Sequence, residues 1–220
     1  MSYVQYGCGY SAPEGWLNFD WSPTIRLARL PAIGRFVQRL KGNELQFPSG
    51  IEIGDIVRGL PIGDQTASGV YASHVLEHLS RSDVETALRN TYRMLRPGGI
   101  FRLIVPDLES RARLYLSKLD SGTNDANDWF MTAAHLGLFK GPSTITEKVS
   151  RTFGGSLHLW MWDFPSMQEQ LRRAGFVKIR RCNYGDSEDA MFSRVEDPTR
   201  FVDPKHQTEE LALEARRPQE

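Results

Sequence analysis

Residues 70–108 read VYASHVLEHLSRSDVETALRNTYRMLRPGGIFRLIVPDL, and the succession of patterns in this stretch decides the fold. Val70-Tyr71-Ala72 is a short apolar run with a β-branched and an aromatic residue, which suits a buried strand. Ser82-Asp83-Val84-Glu85 has the form of a capping box, with a hydroxyl for the third helical N–H and a carboxylate to reach back. Behind it Val84, Ala87, Leu88, Thr91, Met94 and Leu95 recur at intervals of three and four, giving one apolar helical face. Pro97-Gly98-Gly99 stops the helix, and Ile100 to Val105 is a second strand, ended by Pro106-Asp107. Two strands joined by a covering helix make a right-handed parallel crossover, the unit of an α/β sheet.

The rest of the chain sets bounds. With 220 residues there is enough chain for one α/β domain. Lys+Arg and Asp+Glu both number 27, so the net charge is zero. A partner bound through phosphate charge usually calls for a basic excess, so no nucleic acid is expected. Cys8 and Cys182 form neither a CxxC pair nor a disulfide framework, which favours a reducing compartment. MSYVQYGCGY has neither a positive n-region nor an apolar h-region, and no run approaches the roughly 20 apolar residues of a membrane span. The expected location is the cytoplasm.

Upstream, Tyr3-Val4-Gln5-Tyr6 is strand-like and runs into Gly7-Cys8-Gly9. Glycines at the carboxyl end of a first parallel strand let the backbone approach a ligand. Gly15-Trp16-Leu17-Asn18-Phe19-Asp20 is a second apolar run closed by a carboxylate, which can accept from both hydroxyls of a ribose. Only ten residues separate Gly9 from Asp20, and Ser11 to Gly15 is turn chemistry, so at most one helical turn fits between them. Ile51 to Ile56 reads as a third strand ending at Asp55-Ile56.

In this order and spacing the chain resembles the class I S-adenosylmethionine (SAM) dependent methyltransferases over roughly residues 3–215. The compact GCG-x(5)-GWLNFD departs from their usual longer glycine loop and resembles a subgroup met among cell-surface polysaccharide genes. The resemblance implies an α/β, Rossmann-like sheet of seven strands, order 3-2-1-4-5-7-6 with the last antiparallel and helices on both faces. It implies SAM as cofactor, held by Gly7, Cys8, Gly9, Asp20, Asp55, Ile56, Ser73 and His74, with Asp55 at the adenine amino group and Ile56 on its ring. Gly59 to Asp64 resembles the loop that the family carries before its fourth strand. A single domain over 1–220 is expected, with a helical insertion near 23–45 and an acceptor-side insertion near 120–165.

The remaining elements follow from local pattern. Ile25 to Leu40 reads as two short helices split by Pro31 and Gly34. Leu108 to Leu119 reads as a helix with Leu108, Ala112, Tyr115, Leu116 and Leu119 inward, and Trp129 to Phe139 as another. Gly141 to Gly155 is a long polar loop or lid, and Ser166 to Glu169 has the form of a second capping box. Phe176 to Cys182 and Glu209 to Glu214 are the last strands.

Methyl transfer from a sulfonium is an in-line displacement, and a hydroxyl acceptor also needs a base. His74, Asp107 and His158 are the candidates. His74 can equally cover the cofactor, and Asp107 can equally cap the helix after it. Trp160 and Trp162 beside His158 form an aromatic wall for a substrate, or belong to the core. Glu77-His78 fits the family's HVLEH and can serve to fix the loop. His74 and His78 stand four apart, as helical zinc ligands can, but no third ligand is legible and no metal is expected. The expected function is methylation of a small molecule, such as a carbohydrate hydroxyl in surface polysaccharide biosynthesis. The alternatives are a SAM- or nucleotide-binding module without catalysis and a nucleic-acid methyltransferase, the latter opposed by charge and by the lack of a [DNS]PP[YF] motif.

Overall fold

A computed structural model of the chain describes residues 2–22, 25–26, 48–137, 141 and 157–220. The expected helices after Ile25 and the polar loop after Gly141 lie almost wholly outside the described residues. One sheet runs through the molecule. Its strands are β1 (Ser2–Tyr6), β2 (Trp16–Asp20), β3 (Ile51–Ile53), β4 (Ala67–Ser73), β5 (Leu95–Pro106), β6 (Val177–Arg181) and β8 (Thr208–Arg216), in the order β3-β2-β1-β4-β5-β8-β6. β1 to β5 pair in parallel, whereas β8 is antiparallel to both β5 and β6. The expected order is therefore present. A two-residue strand, β7 (Val202–Asp203), forms a hairpin with β8 and was not legible in the sequence.

Alternation along the strands builds two cores. Val70 and Ala72 of β4, Phe101, Leu103 and Val105 of β5, and Leu211, Leu213 and Ala215 of β8 share one face. Against it pack Val84, Ala87, Leu88 and Met94 of α1 (Arg81–Met94), with Met167 and Leu171 of α4 (Phe164–Arg173). The opposite face carries Tyr71, Ile100, Ile104 and Ala212, joined by Trp16 and covered by Phe192 of the 3-10 turn Ala190–Arg194. Between β1 and β2 no helix forms, in keeping with the short connection.

Local chemistry sets the helix boundaries, in places differently from the pattern. α1 is capped by Ser80, not Ser82: Ser80 is extended and its Oγ accepts from Asp83 N at 3.2 Å. The 3-10 turn Leu76–His78 delivers the chain two residues earlier than the capping-box spacing suggested. α4 likewise begins from Asp163 rather than Ser166. Asp163 Oδ1 accepts from Ser166 N at 2.9 Å, Ser166 Oγ accepts from Asp163 N at 3.2 Å, and Pro165 sits in the first turn, where no N–H is needed. α2 (Leu108–Asp120) turns a different face inward from the one its leucines suggested. Arg111 is buried, whereas Leu116 and Leu119 are 56% and 47% exposed. The cause is a two-pronged ion pair, with Arg111 Nη1 and Nη2 each donating to Glu210 at 3.0 Å and fixing the rotation of the helix. α3 (Ala126–Ala133) starts three residues before the expected Trp129.

Candidate active site

Parallel strand ends converge where the order reverses between β1 and β4. Gly7 has φ +65°, and a Cβ there would lie 2.1 Å from Val75 Cγ2, so the glycine turn is pressed against the loop leaving β4. Gly9 also has positive φ, with open space about it. Gly7→Ala should therefore lose more than about 1 kcal/mol of stability, and Gly9→Ala distinctly less, in urea denaturation. The reverse ranking would show that the contact with Val75 does not constrain the turn. Cys8 between them is buried, and burial, helped by the nearby Asp20 charge, pushes its thiol up to about 12. It has no thiolate character.

Asp20 ends β2 buried, with Oδ2 accepting from Gly9 N at 2.8 Å and Oδ1 from Ser22 N at 2.6 Å. The carboxylate thus ties the glycine turn to the second strand, and each oxygen keeps a further lone pair. Asp55 lies just beyond β3, its Oδ1 accepting from Val57 N at 2.9 Å and its Oδ2 3.4 Å from Arg58 Nε. Ile56 beside it is 5% exposed and packs into the larger core.

At the end of β4, Ser73 has a buried Oγ without a hydrogen-bond partner. His74 follows in the left-handed region, φ +55°, a conformation found at sites where the surroundings over-determine the backbone. Its Nδ1 lies 3.3 Å from Glu77 Oε1, and its Nε2 is 3.2 Å from the Arg200 carbonyl. Burial opposes charge on His74, but the Glu77 carboxylate and more distant Glu210 hold its pKa above the ordinary value. An imidazolium with one N–H toward Glu77 and the other toward a carbonyl has no lone pair for a proton. This geometry suits positioning better than the base role. Asp107 is also committed: Oδ1 caps α2 through Glu109 N at 2.9 Å, and Oδ2 accepts from Arg181 at 3.1 Å.

A cavity of about 330 Å³ opens beyond these strand ends. His74, Arg111, His135, His158, Arg200 and Glu210 contribute to its wall. His158 is held by its backbone N–H donating to the His135 carbonyl at 3.2 Å, and its Nε2 is 3.3 Å from His135 Nδ1. Its Nδ1 makes no hydrogen bond. Burial, with His135 and His78 adding to it against the pull of Glu77, pushes its pKa down to about 4, so the ring is neutral. The neighbouring tryptophans part company. Trp162 is 1% exposed and packs in the main core, its carbonyl accepting from Leu108 N at 2.8 Å. Trp160 is 39% exposed, its ring 6.1 Å from Trp162 and under the Arg81 guanidinium at 5.3 Å.

The sequence reading missed His135, Arg111 and the Arg200–Glu210 hairpin. Arg111 left no local signal, because what turns it inward is Glu210 on β8. The hairpin left none beyond Asp203-Pro204, a turn dipeptide. Among the described residues no helix is long and apolar enough to cross a membrane.

Comparison with known proteins fits this geometry. Residues 4–103 match the family described as a methyltransferase domain. No curated protein matches the sequence. Among solved structures, a SAM-dependent methyltransferase from Methanosarcina mazei is 12% identical, with 100% of this chain and 93% of that one covered and a TM-score of 0.52. Another, from Archaeoglobus fulgidus, is 13% identical, covering 98% and 86%, with a TM-score of 0.50. At these identities the likeness is one of fold, including the reversed strand beside β5. Residues 4–103 thus resemble a methyltransferase domain, and the chain has the fold seen in SAM-dependent methyltransferases.

Proposed function

We propose that the chain transfers the methyl group of SAM to a small polar molecule seated in the 330 Å³ cavity, with a carbohydrate hydroxyl of surface polysaccharide biosynthesis as the acceptor class. The observation that carries this reading is the position of that cavity. It opens at His74, directly beyond the switch point where Gly7 meets Val75, so a cofactor over β1 to β3 would face an acceptor over β4 and β5. The ionic wall favours a polar acceptor. In this reading Gly7, Cys8 and Gly9 line the cofactor, Asp20 takes the ribose with its remaining lone pairs, and Asp55 and Ile56 hold the adenine. Ser73 and His74 close its methyl end. In this reading of a single domain, the acceptor-side stretch 141–163 is described only at Gly141 and 157–163, where His158 lines the cavity and is the group placed to take a hydroxyl proton. The compartment is the cytoplasm.

Methyl transfer then depends mainly on alignment, because a near-contact, collinear arrangement of nucleophile, methyl and sulfur removes most of the entropic barrier. Calorimetry with SAM and S-adenosylhomocysteine tests the cofactor half. Asp20→Ala should weaken SAM binding at least about tenfold, the loss expected for hydrogen bonds to a charged acceptor. Asp20→Asn should be milder, since one oxygen still accepts. An unchanged dissociation constant in a folded Asp20→Ala protein removes the ribose assignment. A methyl-release assay across sugars and sugar nucleotides then tests the acceptor. Tight SAM binding without transfer to any acceptor would instead favour a binding module.

A further inference from the structure

We infer that Glu77, His78 and His158 form a binding site for a divalent transition metal, with Zn²⁺ the ion best suited to it. The expectation from sequence was that no metal is bound, since His74 and His78 showed no third ligand. One ligand atom from each of the three residues lies within 4.8 Å of the others.

The donors are poised and otherwise unexplained. Glu77 is 0% exposed, yet neither carboxylate oxygen has a hydrogen bond. The nearest ring nitrogens, His74 Nδ1 at 3.3 Å and His78 Nε2 at 3.9 Å, do not satisfy those lone pairs. His158 is 8% exposed, and its Nδ1 is likewise without a hydrogen bond. His78 is the exposed member, and its tautomer is set by its surroundings. Its Nδ1 is 3.2 Å from the Leu157 carbonyl, which can only accept, so Nδ1 carries the proton and Nε2 presents a lone pair on the Glu77 side.

Backbone pairing fixes the arrangement. Leu159 N and Trp160 N both donate to the Glu77 carbonyl, at 2.7 and 3.2 Å, clamping the 157–160 segment onto the 3-10 turn that carries Glu77 and His78. His135 supports His158 from behind through the 3.3 Å ring contact, as supporting groups behind metal-bound imidazoles commonly do. Two imidazole nitrogens and one carboxylate are a set that suits zinc and its neighbours rather than Mg²⁺ or Ca²⁺, which prefer all-oxygen ligands. The exposed edge at His78 gives the ion a way in and room for water as a fourth ligand.

The inference goes beyond methyl transfer and does not depend on it. Its one link is His158, which cannot be both a metal ligand at Nδ1 and a free base there. If the site were loaded, the coordinated water would lose its proton to solvent more readily, and the hydroxide left behind would be the group able to accept a proton.

The test is a titration of the chelator-stripped, full-length protein with Co²⁺ and Zn²⁺ alone, read by visible absorption, calorimetry and thermal melting. One equivalent of Co²⁺ should give d–d bands that Zn²⁺ displaces, and Zn²⁺ should raise the melting temperature. His78→Asn, at an exposed position, should fold as wild type and weaken the ion by more than about 100-fold, beyond what loss of a supporting residue does. Glu77→Gln and His158→Asn should do the same, and His206→Asn, outside the cluster, should leave binding intact. Absence of binding by the wild type overturns the site, as does binding that His78→Asn leaves unchanged. SAM affinity, measured separately, reports on the cofactor reading whichever way the metal titration falls.

Discussion

Arg102→Ala should remove roughly 3–5 kcal/mol of stability, the cost of leaving buried partners of an ion pair uncompensated. Arg102 is 1% exposed in the middle of β5. Its Nε donates to Glu196 at 2.6 Å, its Nη1 to Glu214 at 2.7 Å and Asp186 at 3.0 Å, and its Nη2 to the Asn183 carbonyl at 3.0 Å. Glu214 is its direct cross-strand partner on β8 and also meets Arg180 of β6 at 3.2 Å. One side chain therefore joins three strands and the loop that closes the smaller core. For a domain of ordinary stability this is a large share of the total. Urea denaturation measures it, and a loss below about 1 kcal/mol would mean that the network contributes little. Arg102→Met combined with Glu196→Leu and Glu214→Leu should recover much of the loss, because an apolar set of similar volume has no charges to desolvate.

Trp162→Ala is the second large effect, about 3–5 kcal/mol, from a fully buried indole in the main core. Its backbone is tied to the end of β5 through Leu108 N, so the cavity left behind would loosen the strand ends where the site lies. Cofactor binding should fall in parallel with stability. Trp160→Ala should behave differently. That ring is 39% exposed and rests on Trp162 and Arg81, so its loss should cost well under half as much and leave SAM affinity near wild type. Under the acceptor-side reading it would still lower turnover. If the Trp160 variant loses stability and SAM binding together, the exposed tryptophan is structural as well, and the reading of 141–163 as an acceptor element falls.

The parts of the fold legible in the sequence were those with short-range causes. The apolar runs of β4 and β5, buried on both faces, and the apolar face of α1 appear as expected, because their causes are local. The helix start at Leu108 was placed correctly, whereas the starts of α1, α3 and α4 were misplaced by two or three residues. Ser80 and Asp163 outcompete Ser82 and Ser166 because the chain arrives extended at those points, a fact set by the preceding loop. Arg111 turning inward reflects Glu210, nearly a hundred residues later, and no local pattern holds that information. Arg102 was more legible than it was read to be. A single arginine inside IFRLIV calls for buried counter-charges, and EELALE supplies one on an alternating strand. The histidines are the clearest case of long-range placement. His74 and His78 invited pairing by their spacing, whereas left-handed His74 sends the chain into the turn that sets His78 and Glu77 beside His158, eighty residues on.

The reversal of β8 bears on how the chain is made. β8 follows β6 in sequence yet lies inside it, between β6 and β5. Synthesis proceeds from the amino end, so a nascent chain that has emerged only as far as residue 207 exposes the edge of β5 and leaves β6 without its neighbour. Arg102 and Arg111 then still lack Glu214 and Glu210. The sheet can close only when residues 208–216 thread between two strands already outside the ribosome. Translation thus withholds the central hydrogen-bonded rows until a late moment, and the interval before it is when the open β5 edge is most exposed to pairing with another chain.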